Sequence, residues 1–363
     1  MISTKQKTQK RRGRLPLIEV VDLFCGIGGL SYGMKSKGLR ILAGFDLDET
    51  CKFAYETNNN AKFIVKDIKT VTSKEVNSLY SKNAIKVLAG CAPCQPFSSY
   101  AFKNKRKDPN KYDLLYQFGE LVRGVHPDIV TMENVPAISS FRLKPVLSDF
   151  ISLLESEGYC VSYEVVYCPN YGIPQTRKRL VLLASRLGKI SLIEPTHQKD
   201  KYVTVRDTIG ELPHLRDGET CKTDPLHKCR GLSPLNLRRI AATPCGGGWK
   251  DWPKDLLLEC HKKDGGKSFG SVYGRIKWDE PAPTMTTECT SIGSGRFGHP
   301  EQNRAISVRE AALLQTFPIT YKFFQNEKDV SMAKASRYIG NAVPPKLGAV
   351  IAESIKKHIR NNK

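Results

Sequence analysis

Two residues able to do covalent chemistry follow apolar runs of the chain. Cys94 lies in Gly90-Cys91-Ala92-Pro93-Cys94-Gln95-Pro96-Phe97-Ser98, directly after the run Ile85 to Ala89. A thiolate is a strong nucleophile once a helix N-terminus or a nearby cation lowers its pKa. Glu133 follows the run Asp128 to Met132 and offers a carboxyl for proton transfer. A nucleophilic Cys facing a Glu points to covalent addition assisted by protonation of the acceptor. Thiol hydrolases pair Cys with His, but His126 precedes its apolar run and no His stands in a matching loop. Cys91 and Cys94 also form a CxxC, which by spacing could be a redox pair or half a zinc site. The other half would have to come from Cys221, Cys229, Cys245, Cys260 or His227, none of which repeats that spacing, so no metal is expected. The odd count of 11 cysteines argues against a disulfide framework.

Positioning these residues requires a scaffold that brings distant loops together. Leu17 to Leu23, Leu39 to Phe45, Lys62 to Val65, Ile85 to Ala89 and Asp128 to Met132 read as buried strands. Helical patterns follow most of them: through Met34, through about Tyr55, after the capping pair Thr72 and Glu75, and from about Tyr112. Alternation of this kind predicts an α/β fold with a mainly parallel sheet covered by helices on both faces. Ligands of such sheets bind at the carboxyl ends of the strands. Gly26, Gly28 and Gly29 follow the first strand, Asp46 the second and Asp67 the third. On spacing alone the glycine turn and acid fit a nicotinamide cofactor or a packing turn, and Asp67 fits a helix cap. Residues 190–305 are rich in Gly, Pro and charge, with little helical periodicity. A second capping pair, Ser307 and Glu310, and a helix from Pro345 restore order. The expected division is a basic tail at 1–14, a catalytic domain at 15–188 plus 335–363, and a smaller irregular domain at 189–334.

Several motifs, in order, resemble the DNA cytosine-5 methyltransferases of bacterial restriction–modification systems. Asp22-Leu-Phe-Cys-Gly-Ile-Gly-Gly29 resembles the cofactor loop, Pro93-Cys94-Gln95-Pro96-Phe97-Ser98 the nucleophile motif and Glu133-Asn134-Val135 the acid motif. Gln175-Thr-Arg177-Lys-Arg179, Arg309-Glu310-Ala-Ala-Leu-Leu-Gln315-Thr-Phe-Pro318 and Gly340-Asn341-Ala342-Val343-Pro344 resemble the remaining ones. The resemblance runs from Leu17 to Gly348, excepting the variable region. It implies a Rossmann-like methyltransferase fold, S-adenosyl-L-methionine as methyl donor, and 189–334 as the target-recognition domain. Cys94 would add to carbon 6 of a cytosine flipped out of duplex DNA, making carbon 5 nucleophilic toward the methyl group. Glu133 would interact with ring nitrogen 3, and Arg179 would hold the carbonyl oxygen and orient Glu133. Phe24, Gly26, Gly28, Asp46, Asp67, Ile68, Pro93, Leu114 and Asn341 would line the cofactor pocket; many family members carry Glu at the place of Asp46. Ser98, Lys103, Lys105, Arg106, Arg177, Arg238, Arg239, Lys250 and Arg275 are the candidate DNA contacts, with Trp249 and Trp252 beside them. One branch of the family acts on tRNA, which makes that the alternative substrate; a catalytically silent DNA-binding protein is the other alternative. The expected setting is a restriction–modification system with a cognate endonuclease as partner, or an orphan methylase, and the chain is expected to be monomeric.

The charge balance agrees with a polyanionic partner. The 363 residues hold 57 Lys and Arg against 36 Asp and Glu, a formal net charge of +21. Lys5, Lys7, Lys10, Arg11, Arg12 and Arg14 fall before the first acid, Glu19. No apolar run approaches the roughly 18–20 residues of a membrane span, and Met1 to Arg14 lacks the apolar core of a secretory signal, so a cytoplasmic protein is expected. Phosphate contacts release counterions, so affinity for duplex DNA is expected to fall steeply with added salt. A filter-binding titration at several salt concentrations checks this; a flat response contradicts it.

Overall fold

The computed structural model describes residues 15–93, 113–140, 146–263, 270–326 and 330–362. Its centre is a seven-stranded sheet with the order β3-β2-β1-β4-β5-β7-β6. The strands are β1 (Ile18–Leu23), β2 (Arg40–Asp46), β3 (Lys62–Val65), β4 (Ile85–Gly90), β5 (Ile129–Asn134), β6 (Cys160–Tyr167) and β7 (Lys178–Ser185). The first five pair in parallel, whereas β7 lies antiparallel between β5 and β6. The chain winds outward from β1 to β3, then restarts on the other side with β4. That reversal opens a crevice at the carboxyl ends of β1 and β4, where Leu23 stands in register with Gly90.

Strand periodicity explains the two-faced core. Val20, Val87, Ile129 and Val181 point into one apolar cluster, and their successors Val21, Leu88, Val130 and Leu182 into the other. The first face is covered by α1 (Gly29–Ser36), α2 (Lys52–Asn59) and the long terminal helix Pro345–Asn361. Helices Asp113–Val125 and Val146–Ser156 cover the second, with Phe118, Leu121, Val122, Val125, Phe150 and Leu154 turned inward. Thr72 caps its helix by accepting from the Glu75 N–H at 3.2 Å. At Ser307 both bonds of the capping box form, and Glu310 also takes two bonds from the fully buried Arg304.

Three features depart from the pattern-based expectation. β5 runs on to Asn134, so Glu133 is the penultimate residue of a strand rather than part of a following loop. β6 and β7 carried no clear alternation, because β6 is a half-exposed edge strand and β7 is buried almost throughout. The boundary expected at 335 runs through a continuous core. Phe317, Tyr321 and Phe323 pack on one another with tilted and edge-on rings, and Tyr321 Oη donates to the carbonyl of Ile27 in the glycine turn. Asn58 of α2 exchanges two bonds with the backbone of Lys322. Within 189–305, the irregular lobe holds short helices: Val205–Ile209 packs on the main core, and Pro234–Ala241 lies beside the small clusters of Ile240 and of Trp249, Trp252 and Leu256. Among the described residues no helix is long and apolar enough to cross a membrane.

The terminal helix reaches the sheet only because α1 is small at its contact. A Cβ on Gly33 would lie 2.0 Å from the carbonyl oxygen of Pro345 and 2.7 Å from the Ala349 nitrogen. Overpacking of this kind costs about 1–3 kcal/mol, more than the roughly 1 kcal/mol that Ala gains over Gly in a helix. Gly33→Ala is therefore expected to lower the urea midpoint of unfolding; an unchanged or raised midpoint would show that the two helices are free to separate.

Candidate active site

The crevice between β1 and β4 deepens into a cavity of about 410 Å³. Its floor is the glycine turn after β1. Phe24 adopts φ 58° and Gly28 φ 88°, so the backbone reverses tightly before α1. A side chain at Gly28 would meet the Asn59 amide at 2.2 Å, and one at Gly29 would meet the Val343 carbonyl at the same distance. Asp46 braces the turn from β2: its carboxylate accepts the Gly26 N–H at 2.7 Å and the Asp48 N–H at 2.9 Å. Burial raises the Asp46 pKa, and those two donors pull against it. Asp67 and Ile68 line a further wall, with Asp67 accepting the Lys69 N–H at 3.0 Å to cap its turn.

The far rim comes from the C-terminal segment. Arg337, Tyr338, Gly340, Asn341, Ala342 and Val343 line the cavity. Arg337 lies 3.0 Å from the Asp48 carboxylate, and Tyr338 Oη donates to the Thr50 carbonyl. Pro93 and Leu114 complete the lining toward β4. Thus each described residue expected around the cofactor stands at this cavity, except Gly28, which shapes the turn beneath it.

Glu133 closes the wall toward β5. It is only 3% exposed. Cys91 Sγ donates to its Oε2 at 2.9 Å, and Arg179 Nε approaches its Oε1 to 3.0 Å. That ion pair is close, but its geometry leaves Oε1 without a hydrogen bond among the described residues. Asn134 turns away to donate to the Ala92 carbonyl at 3.3 Å, which ties β5 to the loop carrying the thiols. Cys94 itself lies outside the described residues, as do Ser98, Lys103, Lys105 and Arg106.

Several expected DNA contacts are placed elsewhere. Arg177 is 2% exposed and donates to the carbonyls of Met285 and Gly340. Burial, then the neighbouring Arg179 charge, push its pKa down to about 10. Arg275 is buried and serves the carbonyls of Thr243, Ile240, His299 and Gln302, so it organises the lobe from within. Arg239 bonds the Leu256 carbonyl and stacks over Trp252 and Tyr273, and both Trp249 and Trp252 are core residues. These side chains are not a free surface for phosphates. Arg238 and Lys250 do stand at the surface, Arg238 in an ion pair with Asp255 at 2.8 Å.

Two cavity residues had no assigned role in the sequence reading. Cys91 was the neighbour of the nucleophile and is bonded to Glu133 instead of being idle. Asp22 is 1% exposed, accepts Ser31 Oγ at 2.6 Å through Oδ2, and leaves Oδ1 unpartnered at the cavity. Burial pushes its pKa up to about 7. The signal for it was a second acid, after Glu19, in the short buried strand IEVVDL, directly before the glycine turn.

Comparison with known proteins accords with this geometry. The sequence pattern of the C-5 cytosine-specific DNA methylases matches residues 18–357. The Type II methylase M.HgiDII of Herpetosiphon aurantiacus is 52% identical over 340 residues, covering 94% of this chain and 95% of that protein. The Type II methyltransferase M.Eco47II of Escherichia coli is 28% identical over 345 residues, with coverage of 93% and 78%. Among solved structures, a prophage-encoded Escherichia coli protein described as a DNA modification methyltransferase superposes with a TM-score of 0.71 at 21% identity, covering 94% of this chain and 99% of that one. At that identity the structural match establishes the fold alone, while the sequence match spans nearly the whole chain. The chain therefore belongs to the C-5 cytosine-specific DNA methylase family and is a DNA methyltransferase acting at carbon 5 of cytosine.

Proposed function

We propose that Cys94 and Glu133 act together on a cytosine turned out of duplex DNA, with S-adenosyl-L-methionine held in the cavity beside them. Glu133 carries the reading. A buried carboxylate oxygen that accepts no hydrogen bond is costly unless a ligand donates to it. Protonated ring nitrogen 3 and the exocyclic amino group of cytosine are donors of that kind.

The cavity suits the methyl donor on independent grounds. Asp22 presents a buried, unpartnered oxygen, the counter-charge an ammonium group requires. The glycine turn leaves backbone where a Cβ would stand, and Phe24, Ile68, Pro93 and Leu114 offer apolar contact. Asp46 would take the ribose hydroxyls on lone pairs its backbone donors leave open. Asp67 would meet the adenine amino group, and Asn341 the methionine end. When bound, S-adenosyl-L-methionine supplies an electrophilic methyl group for carbon 5.

The protein's own residues prepare the base. The Cys94 sulfur forms a bond to carbon 6, and Glu133 supports the proton at nitrogen 3 that lets the ring accept the electron pair. Arg179 fixes Glu133 and reaches the carbonyl oxygen. After transfer, the proton leaves carbon 5 and the sulfur is expelled, regenerating the thiolate. Duplex DNA is gripped by Ser98, Lys103, Lys105, Arg106, Arg238 and Lys250, with the irregular lobe reading the target. The similarity to Type II enzymes supports work beside a restriction endonuclease of the same specificity; the protein is taken to act as a cytoplasmic monomer.

Purified protein should transfer tritium from labelled S-adenosyl-L-methionine to duplex DNA, and Cys94→Ala should abolish both transfer and covalent trapping by 5-fluorocytosine DNA. Retained transfer in Cys94→Ala would overturn the mechanism, and labelling of tRNA in place of duplex DNA would overturn the substrate. Glu133→Gln should lower kcat by ~10²–10⁴-fold, the usual range for loss of a general acid–base group, with DNA affinity kept. Asp22→Asn should weaken S-adenosylhomocysteine binding by about tenfold, as measured by calorimetry. It should also change the pH dependence of the cofactor-free protein. Because the folded-state pKa of Asp22 is raised to about 7, its stabilising contribution is full at low pH and lost as pH rises through that value. The Asn variant should therefore melt higher than the parent above about pH 7 and lose that advantage toward acid pH; a gap independent of pH would exclude Asp22 as the titrating group.

A further inference from the structure

We propose that Cys91 is a second reactive thiol of the methyl-transfer pocket, a modification site for soft carbon electrophiles that is distinct from the nucleophile. The proposal rests on the reading of the cavity as the cofactor and cytosine site.

Three observations single Cys91 out among the described cysteines. First, it lines the cavity and is half-buried, so a small reagent that enters the site reaches it. Cys25 and Cys51 also border the cavity, but they, Cys168, Cys229 and Cys289 are buried, and burial raises their pKa values, which suits inert packing. Second, Cys91 has a base in place: its S–H points at Glu133 Oε2 across 2.9 Å. Among the described residues no carboxylate is bonded to the sulfur of Cys160, Cys245 or Cys260, and that of half-buried Cys221 meets the Thr223 hydroxyl. Third, two guanidinium groups offset the negative charge that Glu133 places beside the sulfur. Arg179 stands 3.0 Å from the same carboxylate, and the buried Arg177 lies close enough to interact electrostatically with Cys91. Glu133 Oε1, nine-tenths and more buried, is ion-paired with Arg179 but accepts no hydrogen bond among the described residues, so this wall keeps an acceptor open to a ligand.

The chemistry balances with the groups present. As an α-haloacetamide enters, the Cys91 sulfur forms a bond to the methylene carbon and halide leaves with the electron pair of the broken bond. The thiol proton passes to Glu133 Oε2 and from there to solvent. The adduct removes the S–H donor from Glu133 and fills the space beside it.

The test uses full-length Cys94→Ala protein, which lacks the competing nucleophile, treated with iodoacetamide and followed by peptide mass mapping. Cys91 is expected to alkylate at least about tenfold faster than Cys160 or Cys260, the margin expected for an activated over an ordinary thiol. Adding Glu133→Gln to this protein is expected to slow Cys91 alone, because a thiol that is merely accessible would keep its rate. S-adenosylhomocysteine is expected to protect Cys91. Alkylation no faster than at Cys160, a rate indifferent to Glu133→Gln, or absence of protection although calorimetry shows S-adenosylhomocysteine bound, would each overturn the proposal. If calorimetry shows no binding, the cofactor reading fails, while fast, Glu133-dependent alkylation still supports the reactive thiol.

Discussion

The arrangement of the site follows from one constraint, the burial of an acid at the end of β5. An unpaired charge in Glu133's position, 3% exposed, would be expelled or neutralised. The partner is Arg179, delivered by β7, and only an antiparallel neighbour delivers it there. In the β5–β7 register Glu133 faces Val181, so the chain entering β7 places Arg179 two residues earlier, beside the carboxylate. A parallel strand at that edge would bring its N-terminal residues to the opposite end of the sheet. The break in an otherwise parallel sheet thus has a chemical reason as well as a topological one.

That entry into β7 also joins the two lobes. Gln175 is fully buried, accepts the Met285 N–H at 2.9 Å and donates to the Gln315 side chain at 2.7 Å. Arg177 binds the carbonyls of Met285 and Gly340 on the same path. The strand that brings Arg179 to Glu133 therefore also holds the irregular lobe and the C-terminal rim of the cavity. A displacement of the lobe by bound DNA has a direct mechanical route to the carboxylate.

Much of this was legible in the sequence, for identifiable reasons. Parallel strands buried on both faces are short apolar runs, and the first five stood out because each leads within a few residues to a Gly or an acid that packing does not ask for. Helix caps at Thr72 and Ser307 are local chemistry and read directly, though only Ser307 forms the full reciprocal box. What could not be read was whatever depends on partners far along the chain. Arg275 and Lys250 look alike as cations in a polar stretch, yet one is buried among carbonyls and the other is exposed. The 307–326 segment looked like part of the variable lobe because its attachment to the glycine turn runs through Tyr321 and Ile27, residues 294 apart. Cys91 looked like the silent half of a CxxC until β4 and β5 were set side by side.

The buried arginines also change what the +21 charge means. A lobe short of regular structure has many backbone carbonyls with no ladder partner, and buried ones must be satisfied. A guanidinium, with five donors in a rigid fork, can serve several of them at once. Arg275 reaches four carbonyls and Arg296 reaches those of Gly246 and Gly247, so these side chains replace the hydrogen bonds a sheet would supply. Part of the positive excess is therefore structural mortar. Burial lowers the pKa of Arg275, but from a value so high that the charge persists. It still contributes to the long-range field that draws in DNA, without ever touching a phosphate. Attraction and contact are consequently separable here. Replacing an internal arginine would damage the lobe's shape, whereas replacing a surface lysine would change chiefly the salt dependence of binding.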